Sequence, residues 1–151
     1  MEYPALKGKV IKIKEGAGYE GKVYDQCVFI ELANRKVVDL FDYDMLVHPD
    51  ILDKVMDVTI DVFIPGIEKL AEPKYGVEPA LTREGDYKKT GYGHVFFGQI
   101  KDVGRVNHKL ILDIGIGDIF ASPGCENLND FQVGEFVRVF STRSDLYHVQ
   151  E

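Results

Sequence analysis

The chain has no excess of positive charge. Its 151 residues carry 18 Lys and Arg against 25 Asp and Glu, a formal net charge of −7. That balance counts against bulk attraction for a polyanion without eliminating nucleic-acid binding, because such binding grows with the number of Lys and Arg contacts. The acidity is spread: residues 1–70 hold 9 basic and 13 acidic side chains, residues 71–92 hold 4 and 4, and residues 93–151 hold 5 and 8. A local basic patch is still compatible with that balance. Cysteine is scarce as well. Cys27 and Cys125 stand far apart, which excludes a disulfide scaffold and reads as a reduced pair in a cytoplasmic protein. No charged start leads into an apolar stretch, and no apolar run approaches the roughly 18 residues of a membrane span, so a soluble protein without membrane contact is expected.

Sites for chemistry are equally hard to find. His48, His94, His108 and His148 lack zinc-ligand spacing with one another or with the cysteines,. The acidic run Asp39, Asp42, Asp44, Asp50 and Asp53 lacks the central Gly and terminal Glu of a calcium loop. No Ser or Cys sits in a nucleophile motif and no acid–base pair is evident. No metal, cofactor or catalytic residue is expected, and an enzyme with no recognisable motif ranks behind two binding readings.

What the chain does have is β-strand pattern. Val, Ile, Phe and Tyr alternate with charged residues over Lys9–Lys14, Cys27–Ala33, Lys36–Phe41, Asp57–Ile64, His94–Val103, Lys109–Ile114, Asp118–Ala121, Glu135–Thr142 and Asp145–Val149,. Turn residues separate these runs. One short helix is expected over Pro49–Met56, with Pro49 in the first position, Asp50 and Asp53 near the N-terminus, and an apolar stripe of Ile51, Leu52, Val55 and Met56,.

The pattern also occurs twice. Gly8-Lys9-Val10-Ile11 is matched by Gly98-Gln99-Ile100-Lys101, Val28-Phe29-Ile30-Glu31-Leu32 by Leu110-Ile111-Leu112-Asp113-Ile114, and Ile60-Asp61-Val62-Phe63 by Val137-Arg138-Val139-Phe140,. The order strand, strand, strand, short helix, strand is that of an OB-fold. The layout is similar to the OB-type RNA-binding repeat first described in a ribosomal small-subunit protein, the "S-one" repeat, over roughly 60 residues of each half. It departs from that repeat where Val23-Tyr24-Asp25-Gln26 and Arg105-Val106-Asn107-His108 replace the glycine-aromatic entry to the second strand. The expectation is a mainly β protein of two tandem OB-like barrels packed together, residues 1–70 and 93–151. Residues 71–92 would be a linker or long loop between them.

The resemblance implies a non-catalytic module for single-stranded nucleic acid, with RNA favoured. Gly91-Tyr92-Gly93-His94-Val95-Phe96-Phe97 resembles the base-stacking strand of RRM and cold-shock domains, in which glycines admit a base and aromatic rings stack on it. Lys88 and Lys89 directly upstream would meet phosphates. The candidate site is therefore Lys88, Lys89, Tyr92, His94, Phe96 and Phe97, with the strand faces of Lys12, Lys14 and Arg138 as the other place to look. The competing reading is a protein-interaction or assembly module. Phe29, Phe63, Ile111, Phe136 and Phe140 fall on outward strand positions, and apolar residues there predict burial against the other barrel, a partner protein or a second copy.

Overall fold

The computed structural model describes residues 3–16, 18–79, 93–106, 108–124 and 128–150. Strands dominate: β1 (Leu6–Glu15), β2 (Gly18–Tyr19), β3 (Lys22–Val23), β4 (Gln26–Leu32), β5 (Val37–Asp42), β6 (Val55–Ile64), β7 (Gly66–Lys69), β8 (Gly76–Pro79), β9 (His94–Val106), β10 (Lys109–Asp113), β11 (Asp118–Pro123), β12 (Phe136–Ser141) and β13 (Arg143–Gln150). No α-helix occurs among the described residues. Nor is any helix there long and apolar enough to cross a membrane.

Five strands close a barrel. β1 pairs antiparallel with β4 and β6, β4 with β5, β5 runs parallel to β13, and β13 pairs antiparallel with β6. Alternation supplies the lining: Val28, Ile30 and Leu32 from β4, Val38 and Leu40 from β5, and Met56, Val58, Ile60, Val62 and Ile64 from β6 are all buried. β1 must bend to reach both neighbours. The register shift between Val10 and Lys12 makes Ile11 the extra residue of a bulge, which sharpens the bend. Gly8 faces inward, and a Cβ there would lie 2.4 Å from Ile30 Cγ2. Only glycine permits that approach of β1 to the barrel axis.

The strand that completes the barrel comes from the far end of the chain, so the first barrel is not built from residues 1–70 alone. β13 lies between β5 and β6, while the strands of the second half form a row β11-β10-β9-β12 attached to the first half at both ends. At one end β11 runs parallel to the last residues of β6, and at the other β12 pairs with β7. β6 and β7 are separated by Pro65 alone, so one bent strand of the first half meets both ends of the row. The boundary between residues 1–70 and 93–151 does not separate two sheets. It does not separate two cores either: one apolar cluster runs from Leu6, Val10 and Val28 through Ile60 to Leu110, Val137, Val139 and Leu146.

Two local expectations also change. Pro49–Ile51 makes a single 3₁₀ turn in place of a helix to Met56. The turn stops because Asp53 takes φ 65° and donates its N–H to the Val10 carbonyl at 2.7 Å, after which Val55 and Met56 join the ladder with β1. Within the expected linker, Gly76–Pro79 is strand β8, paired antiparallel along His94–Phe97.

Candidate nucleic-acid interface

Lys88, Lys89 and Tyr92 lie outside the described residues. His94, Phe96 and Phe97 are described, and all three are buried, at 2%, 0% and 6% exposure. β8 covers this stretch of β9 along one edge and Lys74 caps the Phe97 ring, its ammonium 3.8 Å from the centroid. Neither phenyl ring presents a face to a base.

His94 instead ties strands together. Its Nε2 lies 3.0 Å from Asp39 Oδ1 on β5 and its Nδ1 lies 2.9 Å from Ser144 Oγ on β13. Ser144 Oγ is 2.9 Å from Ser141 Oγ, and the Ser141 hydroxyl donates to the Arg143 carbonyl at 2.8 Å. Carboxylate, imidazole and hydroxyl thus follow in the order of a hydrolase triad. With His94 at 2% and Ser144 at 0% exposure, no substrate carbonyl reaches the hydroxyl, so the chain of contacts is a buried link between β5, β9, β12 and β13. Its members are too far apart in sequence for spacing to reveal it. Among the described residues no group of three or more His, Cys, Asp or Glu side chains is placed to hold a metal.

None of the outward residues Phe29, Phe63, Ile111, Phe136 and Phe140 belongs to the buried core cluster. Phe29, Ile111 and Phe136 are partly covered, with Lys12 over Phe29 at 5.6 Å and Tyr75 edge-on to Phe136 at 5.2 Å. Phe63 and Phe140 are exposed. Arg138 is engaged, stacking 4.5 Å over Phe140 and pairing with Glu68 at 2.8 Å.

The open cationic surface lies on the first barrel. Before the bulge, Leu6, Gly8 and Val10 point inward, leaving Lys7 and Lys9 outside; after it, Ile13 turns inward opposite Val28, and Lys12 and Lys14 are outside. One extra residue therefore puts four lysines on the same face of β1. Lys7 pairs with Asp57. Lys9 stands opposite Glu31 in register, and Lys9, Lys12 and Lys14 form no ion pair among the described residues.

Beside this row stand aromatic rings. Phe29 lies opposite Lys12 in register, and Phe41 of β5 lies opposite Cys27, itself opposite Lys14. Arg143 of β13 stacks 4.8 Å over Phe41, and Tyr43 meets Phe41 edge-on at 6.0 Å. The β2–β3 hairpin grows from the β1–β4 end of this face and carries exposed Tyr19 and Tyr24, with Lys22 5.4 Å over Tyr24. The corresponding strands of the second half are different in charge. Asp102, Asp113 and Asp118 stand there, Lys101 is held by Asp118 at 2.8 Å, and Lys109 is held by Asp61.

The architecture defines a β-barrel protein with a lysine row and aromatic rings on one outer face. No protein-family model matches the chain, and no curated protein or solved structure matches it.

Proposed function

We propose that this protein is a non-catalytic binding module for single-stranded nucleic acid, with RNA favoured, and that the ligand lies across the outer face of β1, β4 and β5. The observation that carries the reading is the row Lys7, Lys9, Lys12 and Lys14, brought to one side of β1 by the bulge at Ile11. The Lys9, Lys12 and Lys14 ammonium groups attract phosphates, and the exposed Tyr19 and Tyr24 rings of the hairpin supply stacking surface of a kind that tolerates any base,. Strand order agrees with this use: a closed five-stranded barrel with a parallel third and fifth strand is the OB arrangement, in which the second and third strands and the first hairpin face the ligand. We read the whole chain as two OB-like units of similar strand order that have exchanged their fifth strands, β13 to the first unit and the bent β6–β7 strand to the second. The pairing of β9, β10, β11 and β12 in the same order as β1, β4, β5 and β6 supports this reading.

The test is a fluorescence titration of mixed-sequence single-stranded RNA and DNA at low salt. Binding is expected to weaken as salt rises. Lys9→Ala, Lys12→Ala and Lys14→Ala together should flatten the log–log salt slope by roughly two to three. Lys88→Ala with Lys89→Ala serves as the comparison arm, because that pair is the other source of phosphate contacts. No binding at high micromolar protein, or binding indifferent to the β1 lysines, would sink the proposed face. In the second case a loss on replacing Lys88 and Lys89 would return the site to them. The protein-partner reading keeps one point in its favour, the exposure of Phe63 and Phe140. It is the reading to pursue if no nucleic acid binds.

A further inference from the structure

Where β13 leaves β5 and meets β6 and β11, the outer surface sinks into a groove of about 470 Å³ lined by Asp61, Phe63, Ser122, Thr142, Arg143 and Asp145. In register, Asp145 lies opposite Asp61 and Arg143 opposite Phe63. Two carboxylates facing each other across a ladder repel unless each has a counter-charge, and here each does. Lys109 pairs with Asp61, which also accepts the Ser122 hydroxyl at 2.8 Å. Arg143 forks onto Asp145 at 2.7 and 2.9 Å. The Lys109 ammonium is backed by Phe120 and Tyr147, 5.4 and 4.7 Å from the ring centroids. The four charges sum to zero, so the groove exerts no net pull on a phosphate, and its carboxylate oxygens would repel one brought close.

What the groove does offer is a flat ring and acceptors. Phe63 is 50% exposed. Gly124 lies against its tip: a Cβ at that position would sit 3.3 Å from Phe63 Cζ, so glycine keeps the ring edge clear. A stackable face beside carboxylates and hydroxyls suits a neutral ligand that has an aromatic ring and donating hydroxyl groups, and the volume is in the range of small-ligand pockets. Arg143 also joins the groove to the binding face, because the same guanidinium stacks on Phe41. A strand crossing β4 and β5 would thus pass from lysines to paired carboxylates at β13.

We propose that the groove seats the terminal nucleoside of a bound single strand that ends in a hydroxyl, its base on Phe63 and its free ribose hydroxyls donating to the Asp145 carboxylate. This inference rests on the nucleic-acid reading above. It adds a preference for hydroxyl-terminated ends.

The test compares three forms of one 20-nucleotide RNA carrying an internal fluorescent base: hydroxyl at both ends, phosphate at both ends, and a covalent circle. The hydroxyl-ended form should bind about tenfold more tightly than the other two. Phe63→Ala should lower its affinity to that of the circle, a loss of about tenfold, as expected for one stacked base, and leave the circle unchanged. Asp145→Asn removes the carboxylate that counters Arg143, so it should narrow the gap between hydroxyl- and phosphate-ended forms, an effect that loss of packing alone would not produce. Gly124→Ala, which crowds the ring, is the second variant should Phe63→Ala fail to fold. Equal affinities for all three forms, with dependence on the β1 lysines intact, would overturn the end-pocket and leave the binding face standing. If no form binds, the binding face is lost and the groove is decided by saturation-transfer NMR with free adenosine. A signal abolished by Phe63→Ala would support the groove as a nucleoside site, and its absence in the wild type would overturn it.

Discussion

Replacing Leu146 with Ala tests whether the first barrel depends on the last strand of the chain. Leu146 is 4% exposed and lies opposite Ile60 in the β13–β6 ladder, so its side chain belongs to the first barrel although its chain neighbour β12 pairs with β9 and β7. Truncating a buried leucine to Ala removes transfer free energy and leaves a cavity, at a cost of about 2–5 kcal/mol. Against a typical total stability of about 5–15 kcal/mol that is a large share. Urea denaturation reads the cost as a lower midpoint at unchanged slope. Native-state amide exchange reads its location, because segments open in cooperative units. Protection should fall in β1, β4, β5 and β6, more than 80 residues away in sequence for all of them. Loss of protection confined to β9–β12, with β1, β4 and β5 unchanged, would refute the exchanged arrangement, and a midpoint shift worth under about 0.5 kcal/mol would refute the burial argument.

Other side chains make sharper local predictions. His94→Ala deletes contacts to Asp39 and Ser144 inside the protein and should cost about 2–4 kcal/mol in urea denaturation, with His94→Gln losing less; an unchanged midpoint would mean the link is not stabilising. Asp42, 0% exposed, accepts the Gln26 amide at 2.8 Å and the Leu46 and Val47 N–H groups at 2.8 and 2.9 Å; Asp42→Ala leaves three donors without that acceptor and should destabilise by about 3 kcal/mol or more in the same assay. The Glu135 carboxyl is held below its ordinary range, first by the Gln132 N–H and then by Lys69. A carboxylate lowered in the folded state contributes stability above its unfolded pKa and loses it as pH falls through the folded value. Glu135→Gln should therefore flatten the acid-side fall in melting temperature below about pH 5, and identical melting profiles would contradict the assignment.

Strand content was legible because alternation is a local property. Val28, Ile30 and Leu32 are buried as their spacing requires, and so are Leu110 and Leu112. The matched glycines were legible too, and their reason is steric in both halves: a Cβ at Gly8 would meet Ile30, and one at Gly98 would lie 2.3 Å from the Asp113 carbonyl oxygen. Strand partnership was not legible. β6 passes to β7 through Pro65, and β12 to β13 through Thr142; single-residue joints of this kind carry no mark of which sheet the next strand will enter. The alternation of β13 suits β6 as well as it would suit a partner in its own half. Long-range pairing of this kind is decided by the whole set of strands, not by any one of them.

The same limit hides the lysine face from sequence periodicity. Strict period-two counting puts Lys7 and Lys9 on one side of β1 and Lys12 and Lys14 on the other, so the row dissolves into two ordinary solvated pairs. The aromatic pair Phe96 and Phe97, by contrast, resembles a base-stacking strand because Gly91 and Gly93 precede it. It is covered by β8 and Lys74, from a segment whose composition read as linker. A bulge reverses the parity of every residue after it, and Ile11 is the residue that does so here. Because it is exposed at 38% with no special backbone requirement, nothing in its own chemistry announces the bulge; the need comes from β1 having to pair with β4 and β6 at once. The side on which four ammonium groups stand is thus a consequence of barrel closure, and closure depends in turn on a strand that arrives more than 120 residues later.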